Sequence, residues 1–97
     1  MPDIPAELRS TTTKIFEFTE YFRKSRAKPG HVDQMAALEA ISNGIYYEEQ
    51  IIDKEIRHCV IGTSSKYPGK YIRIIIMKDF KTIHNAFFDR AARRKLK

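Results

Sequence analysis

The sequence has a single cysteine and no long apolar run. Cys59 stands alone among 97 residues, so the chain cannot form an internal disulfide and a reducing compartment is expected. No window approaches the roughly 18 apolar residues that a membrane-spanning helix needs. The N-terminus lacks the basic and apolar pattern of a secretory signal. We therefore expect a cytoplasmic protein that does not enter a membrane.

Motifs for metals, nucleotides and nucleophilic catalysis are also missing. The histidines His31, His58 and His84 are 27 and 26 residues apart, which fits no compact ligand motif. The stretch "GTSSKYPGK" lacks the spacing of a phosphate-binding loop. His58 precedes Cys59 in an apolar run, and neighbours in a strand point to opposite faces. The sequence predicts no metal, no cofactor and no cysteine–histidine dyad.

Positive charge is abundant. Eighteen Lys and Arg residues against twelve Asp and Glu residues give a formal net charge of +6. Such an excess favours a polyanionic partner. Near the C-terminus stand Arg90, Arg93, Arg94, Lys95 and Lys97.

The N-terminal third is ambiguous. Residues 1–12 contain two prolines and are expected to form a flexible arm, with one domain over residues 13–97. The phenylalanines of "TTTKIFEFTEYFRKSRAKPG" fit a strand period and a helical period alike. We favour a helix over residues 13–27, which "KPG" ends.

A second helix is clearer in "HVDQMAALEAISNG". Its apolar residues recur every three positions and predict a buried face, and the Asn-Gly pair is a typical helix C-terminus. The expected buried residues are Val32, Met35, Leu38 and Ile41, helped by Ala36, Ala37 and Ala40.

Four strand patterns follow: "IYYEEQIID", "EIRHCVIGT", "KYIRIIIM" and "KTIHNAFFD". Their connections are too short for parallel crossovers, so the sheet should be an antiparallel meander. Its apolar face needs the preceding helices as a cover. The expected fold class is α+β: one or two N-terminal helices packed on a curled four-stranded antiparallel sheet, then a short basic C-terminal tail or helix.

The register of the last hairpin decides which side chains meet. A tight turn would pair residue 77 with 82 and residue 75 with 84. The core face would then hold Ile72, Ile74, Ile76, Ile83 and Phe87. The opposite face would gather Tyr71, Arg73, His84 and Arg90. An ordinary solvated sheet face is the alternative interpretation.

The residue types of that second face suit metal-free RNA cleavage. This chemistry needs a base for the 2′-hydroxyl, cations for the phosphorane and an acid for the leaving oxygen. Lys66, Tyr67 and Lys70 lie in the preceding loop, where they would contact phosphate or stack on a base.

Three segments resemble the RelE/ParE/BrnT superfamily of small bacterial toxins, and a neighbouring uncharacterised family with a barnase-like sheet. They are "HVDQMAALEAISNG", the "IYYEEQ" that follows it, and "GKYIRIIIMKDFKTIHNAFFDRAARRK". The likeness covers residues 31–94. It does not include the first thirty residues, and "NAFF" stands where these toxins usually carry another arginine.

The resemblance implies an endoribonuclease that acts on RNA or the ribosome and is held inactive by an acidic antitoxin; the ParE branch instead poisons gyrase. By position, it assigns His31, Arg73, His84 and Arg90 to the catalytic site. The residues expected to bind nucleic acid are Lys66, Tyr67, Lys70, Tyr71, Arg93, Arg94 and Lys95.

Two other hypotheses stay open. The chain is alternatively a non-catalytic basic module that binds nucleic acid or an acidic protein. A homodimer is also possible, formed through a sheet edge at "IYYEEQII" or "IRIII".

Overall fold

The computed structural model describes residues 4, 8, 16–24 and 32–92. Within them, two helices accompany one open, mixed sheet of five strands. The elements are β1 (Glu17–Phe18), α1 (Glu20–Lys24), α2 (Gln34–Ser42), β2 (Tyr46–Ile52), β3 (Glu55–Gly62), β4 (Ile72–Met77) and β5 (Thr82–Phe88).

The predicted α+β class and the antiparallel meander β2–β3–β4–β5 are confirmed, but four strands was too few. The sheet order is β1-β5-β4-β3-β2, and β1 runs parallel to β5. Glu17 donates its backbone N–H to Lys81 O at 2.9 Å, and Thr19 donates to Ile83 O at 3.0 Å. Because β4 lies inside the sheet, "IRIII" is not an edge, whereas "IYYEEQII" belongs to the edge strand among the described residues.

The predicted helix over residues 13–27 is confirmed only over Glu20–Lys24 and is wrong for the described residues before it. Residues 17–18 follow the strand period, and only Glu20–Lys24 is helical. Thr19 separates the two, because its Oγ1 accepts the backbone N–H of Phe22 at 3.1 Å and caps the helix. The short helix then buries the Phe22 ring completely. The spacing of the phenylalanines fits a strand and a helix alike, and pairing with β5 selects the strand for residues 17–18.

Helix α2 begins and ends as expected, and its predicted buried face is confirmed except at Met35. Asp33 Oδ1 accepts the Ala36 N–H at 3.1 Å at its start, and Asn43 is its C-cap. Met35, expected in the core, is 74% exposed. The buried residues of the helix are Ala36, Ala37, Ala40 and Ile41.

Small side chains let α2 lie directly on the sheet. A Cβ built on Gly62 would stand 1.8 Å from the carbonyl oxygen of Ala40. Glycine at this strand position and alanine on the helix are both required by that close approach.

One core lies between the helices and the inner sheet face. It includes Ile4 and Leu8, which the sequence analysis placed in a flexible arm. Its buried strand residues are Val60, Ile72, Ile74, Ile76, Ile83 and Ala86.

A β-bulge in the last hairpin corrects the predicted faces. Ile76 pairs with Ile83 as expected, but Ile75 pairs with Asn85, so His84 is an extra residue. Beyond it every residue of β5 changes face. Ala86 and Phe88 therefore pack on the core, and Phe87, predicted there, lies opposite Arg73 on the outer face.

We expect Gly62→Ala to destabilise the fold by about 3 kcal/mol or more, because the added methyl meets backbone that cannot move aside. Urea denaturation would measure the change. The control is Gly69→Asn, since Gly69 has φ +79° and open space around it and asparagine tolerates this conformation. Similar losses in both variants would contradict the close approach of α2 to β3.

Candidate nucleic-acid interface

Arg73 lies in an ion-pair network on the outer face of the sheet, with its side chain 13% exposed. Its Nε donates to Asp89 Oδ2 at 2.7 Å, and Nη2 lies 2.6 Å from the same oxygen. Its Nη1 lies 3.1 Å from Cys59 Sγ and 3.7 Å from Glu48 Oε1. The guanidinium therefore joins β2, β3, β4 and the segment after β5.

The charged form of Arg73 is stabilised by these neighbours. Burial alone would lower the pKa of Arg73, but the Cys59 sulfur and the carboxylates of Asp89 and Glu48 together raise it. Arg73 therefore has acceptors within the protein at Nε, Nη1 and Nη2.

His84 projects from the bulge toward the N-terminal elements. The Tyr21 ring stacks on it with centroids 4.8 Å apart and 15° between the planes. Thr19 Oγ1 lies 3.4 Å from Nδ1. Burial and the positive charge of Arg57 lower the pKa of His84. The neutral imidazole is therefore favoured at neutral pH.

The hairpin does not join Arg73 and His84 in one site. Arg73 is paired with Phe87, three residues beyond His84 in β5, a spacing of about 10 Å along a strand. Arg57 is the cation that acts on His84, and sequence reasoning missed it. Side chains alternate along β3, and Arg57 shares a face with Met77, its partner in β4. This pattern could have indicated Arg57 as a cation near the last hairpin.

The loop between β3 and β4 fixes two of the predicted binding residues. Lys66 Nζ lies 2.6 Å from Asp33 Oδ2 at the start of α2. This contact lowers the pKa of Asp33 and raises that of Lys66. Tyr67 packs edge-on against Phe88, with centroids 5.0 Å apart. Contacts within the fold therefore hold both Lys66 and the Tyr67 ring in place.

Lys70 and Arg90 are different, because both are exposed and neither has an ion pair with another described residue. Lys70 Nζ lies 5.9 Å from the centre of the Phe88 ring. Arg90 follows Asp89, whose backbone N–H donates to the half-buried Tyr71 O at 2.9 Å. The end of β5 and the start of β4 thus carry two unpaired cations. We call Lys66, Tyr67, Lys70 and Arg90 the cationic end of the sheet.

Four further predicted residues, His31, Arg93, Arg94 and Lys95, lie outside the described residues.

Residues 4, 8, 16–24 and 32–92 contain no group of three His, Cys, Asp or Glu residues that could hold a metal ion. No helix among them is long and apolar enough to cross a membrane. Compared with models of protein families, with curated proteins and with solved structures, the chain matches none of them.

We expect Asp89→Asn to lower the free energy of unfolding by about 3 kcal/mol, because it leaves the Arg73 charge half-compensated away from water. Lys24→Ala is the matched control, since its ion pair with Glu20 is exposed and such pairs contribute less than about 1 kcal/mol. Equal midpoints in urea for Asp89→Asn and the unchanged protein would contradict the structural role of the pair.

His84 should make stability depend on pH. Its lowered pKa means that the unfolded chain, with a pKa near ~6.5, takes up the proton first as the pH falls. Its contribution to stability is therefore complete above about pH 6.5 and is lost as the pH falls from there through the lower folded pKa.

Urea midpoints between pH 8 and pH 5 would measure this loss, and we expect it to be smaller in His84→Gln. The pKa values of the acids Asp33, Glu39 and Asp79 are lowered from their ordinary values, so these groups stay ionised over this range. The same pH dependence in both proteins would show that His84 is not the group responsible.

Proposed function

We propose that this chain is a small basic module that binds RNA without cleaving it. The observation that carries the proposal is the pair of exposed cations, Lys70 and Arg90, which have no ion pair with another described residue. The chain has a formal net charge of +6, and Arg93, Arg94 and Lys95 follow Arg90 closely in the sequence. Clustered cations of this kind neutralise phosphates and release counterions.

The state of Arg73 favours binding over catalysis. A phosphorane needs a cation whose donors are directed at the reacting group. The Arg73 donors are directed instead at Asp89, Cys59 and Glu48. Recruiting Arg73 to a phosphate would leave the Asp89 carboxylate, which is 9% exposed, without its partner, at a cost of several kcal/mol.

A metal-free endoribonuclease, neutralised by an acidic antitoxin, is the second candidate. The observation in its favour is the half-buried His84, whose lowered pKa keeps it neutral and able to accept a proton. In this candidate Arg57 would take the electrostatic role predicted for Arg73. The two candidates differ in one outcome, which is whether RNA is cut.

We expect a labelled single-stranded RNA to bind with an affinity that falls steeply with salt. In Lys70→Ala/Arg90→Ala the slope of log affinity against log salt should decrease by about 1.4, since each contact with single-stranded phosphate contributes about 0.7. Arg93→Ala/Arg94→Ala should have a similar effect. The control is Lys78→Ala, which lies in the β4–β5 turn at the other end of the sheet. Fluorescence anisotropy at several salt concentrations would measure each slope.

Unchanged slopes in both double variants would contradict RNA binding by this surface. Cutting of the RNA, or of ribosomal RNA in added ribosomes, would favour the second candidate. His84→Ala would then abolish cutting and leave the affinity for RNA intact. If an acidic protein is the true ligand, RNA will bind weakly and without dependence on Lys70 and Arg90.

A further inference from the structure

The two edges of the sheet differ in what pairs with them. On one side, β1 pairs with the outer edge of β5, and Val32 N–H adds a hydrogen bond to Ala86 O at 3.1 Å. On the other side, β2 is the last strand of the sheet among the residues that the structure describes. An unpaired edge strand presents a row of backbone donors and acceptors to any added strand.

Strand β2 carries unusual side chains for a solvated edge. Ile51 is 76% exposed and Ile52 is 41% exposed. Ile51 is paired with Ile56, which is also 41% exposed, on one face of the β2–β3 hairpin. Asp53 and Lys54 form the turn with φ of 52° and 65°, as in the tight turns that hold hairpin strands in fixed register. The turn therefore fixes the pairing of the strands at this apolar end of the hairpin.

The two glutamates of β2 differ in their partners. Glu48 accepts from Gln50 Nε2 at 2.8 Å and from the Tyr46 hydroxyl at 3.3 Å, and it contacts Arg73. Glu49 is exposed, and its carboxylate has no hydrogen bond or ion pair within the described part of the chain. A strand laid along β2 would therefore meet one uncompensated negative charge near its centre.

A second copy of the chain does not complement this edge in the registers centred on Glu49, Gln50 and Ile51. Two-fold antiparallel pairing must place one residue opposite itself. A pairing centred on Glu49 brings two Glu49 carboxylates together. A pairing centred on Gln50 places Glu49 opposite Ile51, and one centred on Ile51 places Glu49 opposite Asp53. Each register juxtaposes like charges or covers a charge with an apolar side chain.

We propose that the β2 edge receives an extended segment of another protein, with a Lys or Arg opposite Glu49 and apolar residues on either side of it. The apolar residues lie opposite Tyr47 and Ile51, which share the face of Glu49 because side chains alternate. Backbone hydrogen bonds provide affinity in such strand addition, and the alternating side chains provide specificity. This partner is distinct from the polyanion expected at the cationic end.

The test uses the peptide acetyl-Thr-Val-Thr-Lys-Thr-Val-Thr-amide with a fluorescent label. We expect saturable binding, with NMR shifts of the amides of Tyr46–Ile52. The matched peptide with glutamate in place of lysine should bind about tenfold more weakly, and Glu49→Lys should reverse this preference. A lysine peptide with alternate N-methylated amides should not bind, because it cannot complete the hydrogen-bond ladder.

Three results would overturn the proposal. They are equal binding of the lysine and glutamate peptides, equal binding of the N-methylated peptide, and no binding of the lysine peptide to a protein whose amide spectrum is that of the folded state. A concentration-dependent dimer in gel filtration, with protection of the β2 amides, would also overturn it and assign the edge to a second copy.

Discussion

The ion pair between Arg73 and Asp89 is the interaction on which the proposed RNA-binding surface depends. It ties the segment after β5 to the outer sheet face, and through Glu48 and Cys59 it includes β2 and β3. Asp89 and its neighbour Arg90 are thereby held near the start of β4. Arg73, which the sequence analysis proposed as a catalytic cation, makes its contacts within the fold. These contacts follow from its burial, because a guanidinium removed from water needs acceptors throughout its donor set.

The exposed isoleucines of β2 and β3 and the proposed cationic surface lie in different parts of the sheet. Ile51, Ile52 and Ile56 are at the β2–β3 hairpin. Lys70 and Arg90 are at the start of β4 and the end of β5. Strands are about 4.8 Å apart, so the open edge lies on the order of 15 Å from β5. A polyanion at one surface and an extended peptide at the other could bind together without competing for side chains.

The closing hairpin illustrates how far sequence reasoning reached. The apolar row of "IRIIIM" and the short turn predicted the pairing of Ile76 with Ile83, which is confirmed. The bulge at His84 was not predicted, because an extra residue leaves no mark in a pattern of alternating side chains. It moved Phe87 out of the core and left His84 beside Tyr21, a residue 63 positions earlier in the sequence.

The sequence by itself determined the α+β class, the extent of α2, the antiparallel order of the last four strands and the basic excess. These follow from local periodicity, caps and composition, which act over a few residues. Only the tertiary structure decided that residues 17–18 add a parallel strand, that Ala40 of α2 lies against Gly62, and that Arg73 pairs with Asp89. Each of these results from packing between segments distant in sequence, where a gain in burial or ion pairing outweighs local preference.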